Sequence, residues 1–120
     1  WNKKTDKCIY LVDIVDGEFV GYGEVRKSTV KKENFYSKPS IGYTQTWPKY
    51  RRKGYGTRRM HIMNQVSYQY YGVPLHSDAT NSEAMIQLWE AQTQLANAEK
   101  YKEGKNDRYR FLGLTAIEQL

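Results

Sequence analysis

The chain has a single cysteine, Cys8, and two histidines in 120 residues. No intramolecular disulfide can form, and the soft ligands from which zinc sites are built never cluster. No metal is therefore expected, and a reducing cytoplasm is the expected compartment. Cys8 stands at the head of an apolar run, the place of a small buried hydrophobe rather than of an activated nucleophile. No apolar run approaches the length of a membrane span, and no basic-then-apolar leader is found. There is no internal repeat and no low-complexity tract. The first residue is Trp1 rather than methionine, as in a trimmed or partial chain.

What is present suits one globular domain over residues 1–120, with 39% hydrophobic and 27% charged residues. The net charge of +6 favours an anionic partner, without choosing between a nucleotide-bearing cofactor, nucleic acid and an acidic protein. Eleven tyrosines among many lysines and arginines also match proteins that stack single-stranded nucleic acid on aromatic rings.

The first apolar stretch, Cys8 to Val15, is β-branched and aromatic, and a second runs from Glu18 to Val25. Between them lies Asp16-Gly17, a pair suited to the positive φ values of a two-residue hairpin turn. Residues 26–39 read as a polar loop ending at Pro39. Ser40 to Thr46 places Ile41 and Tyr43 on one face and predicts a third strand. After Gly56, Met60, Met63, Val66 or Ser67, and Tyr70 recur at helical spacing until Gly72 and Pro74 stop the helix, giving about fifteen residues. Pro74 to Ala79 predicts a short strand. Thr80 and Glu83 fit a capping box opening a second helix that buries Met85, Leu88, Trp89 and Leu95. A turn around residues 103–107 leads to a last strand, Arg108 to Leu114. The fold class expected is α/β, in the sense of an α+β domain with a mixed sheet.

Between the third strand and the first helix runs Arg51-Arg52-Lys53-Gly54-Tyr55-Gly56-Thr57. Glycine lets successive backbone N–H groups point at one anion, and a helix N-terminus adds a favourable dipole. Three cationic side chains supply longer-range attraction. A solvated cationic turn, or a basic aromatic patch for nucleic acid, would have the same composition.

The R-x-x-G-x-G spacing of Arg51 to Gly56, set between a strand and a long helix, resembles the coenzyme A pyrophosphate loop of the GNAT (GCN5-related N-acetyltransferase) superfamily. The order of elements over residues 8–114 resembles that family too, with the usual N-terminal strand and helices absent or truncated. The SDATNSEAMIQLW stretch resembles acetyltransferases encoded by bacteriophages.

The resemblance implies a GNAT fold whose fourth and fifth strands, Ser40–Thr46 and Pro74–Ala79, splay apart to admit the cofactor's pantetheine arm. It implies acetyl-CoA as co-substrate, held by Arg51, Arg52, Lys53, Gly54, Tyr55, Gly56 and Thr57, with Thr46, Trp47, Asn81 and Trp89 beside it. It implies transfer of acetyl to a primary amine: a protein lysine, an α-amine or a small molecule.

Many GNAT members carry a base five residues before the asparagine of an N-x-x-A segment. Asn81-Ser82-Glu83-Ala84 matches that segment, and five residues earlier stands His76, with a side-chain pKa suited to the task. Anchoring on Leu88-Trp89 instead puts Ser77 there, on the other strand face. Tyr43 and Glu24 are the other candidates near the cleft, the latter acting through water. The family's tyrosine acid is missing, since Leu88 and Trp89 occupy that region and an indole N–H is no acid near neutral pH. The alternatives to an enzyme are a catalytically degenerate GNAT-fold binding or structural protein and a basic nucleic-acid-binding module.

Overall fold

The structure, a computed structural model, describes residues 6–28, 37–78 and 81–114. It is an α+β protein with antiparallel sheets and two helices. Strand β1 (Asp6–Val15) turns at Asp16 and Gly17, both with positive φ (51° and 79°), into β2 (Glu18–Ser28). Such a turn matches the twist of the strands it joins. Strand β3 (Ser40–Thr46) pairs antiparallel with the other edge of β2. A 3-10 turn, Pro48–Tyr50, leads through Gly54 to helix α1 (Tyr55–Tyr71), which Gly72 ends in a left-handed cap with its N–H on the Tyr68 carbonyl.

Helix α1 lies close on β2 because Gly21 and Gly23 face it without side chains. A methyl at Gly21 would overlap the Gln45 carbonyl and the Arg59 guanidinium, and one at Gly23 would press on the Met63 sulfur. Met60 and Met63 complete one core with Val25, Ile41, Leu75, Trp89, Ala98, Tyr109 and Phe111. Trp89 comes from helix α2 (Glu83–Gln94), and the last two aromatics come from the hairpin of β4 (Ala98–Glu103) and β5 (Asn106–Phe111). Trp89 stacks on Tyr109 at 5.8 Å and leans on Phe111 at 5.0 Å, so the second helix and second hairpin enter the core together.

Several expectations change. The expected strand over Pro74–Ala79 is a single bridging residue, His76, paired parallel to Ser40 and antiparallel to Arg110; Ala79 lies outside the described residues. The mixed sheet is thus a three-stranded and a two-stranded antiparallel sheet that meet at this residue. The predicted loop over 26–39 begins later, because β2 continues to Ser28. The cap of α2 is Ser82, whose hydroxyl accepts from the Met85 N–H at 3.2 Å. That replaces the expected capping box, of which Thr80 lies outside the described residues. Leu95 is exposed, since the helix ends before it. Strand β4 was not expected from its polar sequence, AEKYKE. Among the described residues no helix is long and apolar enough to cross a membrane, and no group of three metal-ligating side chains forms.

Candidate functional site

The local geometry of the glycine-containing turn follows from two backbone conformations. Arg52 and Gly54 both have positive φ, 65° and 82°, reversing the chain between β3 and α1. A Cβ at Gly54 would meet open space, so it is backbone strain that favours glycine there. Gly54 is the N-cap of α1 and offers no side chain to the first-turn amides; the first helical bond is from the Arg58 N–H to the Gly54 carbonyl, 3.0 Å. The amides of Tyr55, Gly56 and Thr57 therefore open outward at a helix N-terminus that carries no acidic residue. That is an anion receptor in geometry and in sign.

The turn forms one wall of a cleft of about 720 Å³ whose opposite wall is the first half of α2, with Ala84, Met85 and Leu88. Thr46, Arg51, Arg52, Gly54, Tyr55, Gly56 and Thr57 all line it. Arg51 is steadied by its Nε–H on the Thr46 carbonyl at 2.9 Å. Lys53 is exposed at the rim, not in the lining. Beneath the turn, Arg59 is buried between Asp13 (3.1 Å) and the hydroxyls of Thr44 and Thr46 (3.0 Å each). Burial lowers its pKa while the Asp13 carboxylate raises it. The pair fastens the N-terminal half of α1 to β1, while the two threonine hydroxyls fasten it to β3.

The cleft continues past Thr44, Ser82 and Met85 into a second chamber of about 670 Å³, lined also by Glu24, Arg26, Tyr43, Asp78 and Asn81. This chamber exists because β3 and the segment around His76 part company. They are joined where the Ile41 N–H meets the His76 carbonyl (3.0 Å) and the His76 N–H meets the Pro39 carbonyl (2.8 Å). Beyond that point the two run apart with no further backbone bond between them among the described residues. Glu24 is buried and accepts from Arg26 at 2.8 Å. Tyr43 is exposed at the mouth, and Asn81 donates to the Asp78 carbonyl at 3.1 Å.

Three of the sequence-derived candidates lie elsewhere. Trp47 packs its ring against Phe19 and Tyr22, at 5.3 and 5.8 Å. Trp89 is wholly buried in the core. His76 lines a separate cavity, its Nδ1 on the Pro74 carbonyl at 2.8 Å and its ring edge-on to Tyr101. Burial, with Arg108, Lys38 and Arg110 nearby, lowers its pKa to about 4, so the ring is neutral at pH 7. Conversely, Asp78, Thr44 and Arg59 are not among the sequence-derived site residues, and Met85 and Leu88, expected only as core of the second helix, also line the cleft. The only sequence signal for them was proximity in the chain to the motifs already chosen. Comparison with models of known protein families finds no match, and comparison with curated proteins finds none.

Proposed function

We propose that the chain is a GNAT-type N-acetyltransferase that binds acetyl-CoA in this two-chambered cleft and moves acetyl to a primary amine. The observation that carries the reading is the continuity of an uncapped, glycine-led helix N-terminus with a gap between two parting strands. The residues present fit the group: open amides for a diphosphate, a bare strand edge for an amide-bearing arm, and two chambers in series. When bound, acetyl-CoA supplies a thioester whose carbonyl carbon the amine attacks and whose thiolate, with a thiol pKa of about 8.5, departs readily.

The chain's own residues do the rest. The amides of residues 55–57 hold diphosphate oxygens, while Arg51 and Arg52 draw the anion in. The edge of β3 orients the arm, so that much of the acceleration comes from positioning. The inner chamber is lined by Glu24, whose charge Arg26 meets, and by Asp78, which leaves the described lining with one carboxylate in excess to attract a cationic amine. Glu24 takes the proton that the amine must lose, directly or through water. His76 lies outside the chamber and has no part in this scheme.

Calorimetric titration with acetyl-CoA tests the binding step. Saturable binding should weaken at least about tenfold in Thr57→Glu, which adds a negative charge where the diphosphate sits. No binding by the unaltered chain would defeat the reading. Thiol release against a panel of amines tests the chemistry: Glu24→Gln should bind acetyl-CoA as before and turn over about a hundredfold more slowly. A second reading, a GNAT-fold binding protein without turnover, is favoured by Trp89 being core and by the lack of a tyrosine along α2. It predicts binding with no thiol release from any amine.

A further inference from the structure

The cavity around His76 shares no lining residue with the two-chambered cleft. It measures about 570 Å³, within the range of small-molecule sites. Its apolar wall is formed by Tyr68 and Tyr71 of α1, Val73 and Pro74 after it, and Leu112 after β5. Val73 and Leu112 are left exposed, at 38% and 54%, so apolar surface faces an open hollow.

The polar groups around it are mainly cationic. The Lys27 ammonium lies over the Tyr71 ring at 5.7 Å, and that of Lys38 over the Tyr101 ring at 5.5 Å. Neither lysine forms an ion pair among the described residues. Arg110 also lies on the Tyr101 ring, at 4.7 Å, and its charge is met by Glu99. The lining thus holds three cations and one carboxylate. His76 adds a neutral imidazole; with Nδ1–H given to the Pro74 carbonyl, Nε2 remains an acceptor. Burial chiefly, and the nearby Arg108, Lys38 and Arg110 in addition, lower its pKa.

We propose that this cavity is a second binding site, for a small organic anion with a flat apolar body, an aryl carboxylate or aryl phosphate. The flat body lies against Tyr68, Tyr71 and Leu112, and the anionic group sits between the Lys27 and Lys38 ammoniums, each already held in place by a tyrosine face. The site is independent of acetyl transfer and stands whether or not the cleft binds acetyl-CoA.

Titration of the isotope-labelled full chain with 2-naphthoate and with 2-naphthyl phosphate, followed by amide chemical shifts, tests it. Saturable shifts at Tyr68, Tyr71 and His76 are expected. The more tightly bound of the two identifies whether carboxylate or phosphate is the preferred head group. Neutral 2-naphthamide should bind at least about tenfold more weakly than either, and so should both anions to the Lys27→Gln/Lys38→Gln variant. Both lysines are half-exposed, so the variant keeps its fold, which its own amide spectrum verifies. Absence of saturable shifts, equal binding of the amide, or unchanged affinity in the variant would each overturn the site.

Discussion

Arg59 is the residue on which the receptor turn rests. Its guanidinium is 2% exposed and meets one buried carboxylate and two hydroxyls, and its room depends on the missing side chain at Gly21. Removing one member of a buried ion pair leaves the other uncompensated, whereas replacing both with apolar groups is far milder. Arg59→Met should therefore lower unfolding free energy by about 3–5 kcal/mol in urea titration, and Asp13→Leu/Arg59→Met should recover most of it. His76 supplies a second prediction at this scale. Its folded pKa, about 4, lies below the 6.5 of an unfolded histidine, so between these values the unfolded chain binds a proton that the folded chain refuses. The stability present above pH 6.5 is lost as pH falls toward 4, by up to about 3 kcal/mol. His61 is lowered too, chiefly by burial, and adds the same sign. His76→Asn should flatten the pH 5–6.5 part of the profile, leaving the share due to His61.

Among elements, α2 begins on a single side-chain cap. Ser82 caps its first turn, with Glu83 beside the positive end of the helix, so Ser82→Ala should cost about 1 kcal/mol in thermal or urea unfolding. A smaller loss than a few tenths would mean that another group caps the helix. The elements also differ in how far the sequence discloses them. The Asp16-Gly17 hairpin, β3 from Ser40 to Thr46, and α1 with its Gly72 stop are dictated by local chemistry, and the structure has them at those positions. Strand β4 carries only Ala98 and Tyr101 among polar residues and owes its strand form to pairing with β5, a non-local cause. Ser82 caps the helix in place of the expected Thr80, because two hydroxyl residues only two positions apart both fit the start of an acidic first turn. For the site, the turn from Arg51 to Thr57 is one continuous segment and could be read as such. The role of Arg59 could not, because its partner Asp13 is 46 residues away and only the fold brings them together; Asp78 lines the inner chamber beside Glu24 and Tyr43, residues likewise far from it in the chain. His76 faces another cavity because its direction is set by a bridge to strands distant in sequence.

At the scale of the whole molecule, the two sheets are sewn together by one very short stretch. Residues 75–77 bond on one side to Pro39 and Ile41 and on the other to Tyr109 and Phe111. Ser77 adds its hydroxyl to the Tyr109 N–H at 2.9 Å, and Arg108 reaches across to the Ser77 carbonyl and the Ser40 hydroxyl. Among the described residues, Asn64 of α1 adds a bond to the Gly113 carbonyl at 2.9 Å and accepts from the Leu75 N–H at 3.0 Å, and side-chain packing around Trp89 and Phe111 completes the junction. A backbone seam three residues long is expected to open as one unit. Deuterium should consequently enter the amides of Ile41, His76, Ser77 and Phe111 at a single shared opening free energy, the halves parting all at once or not at all.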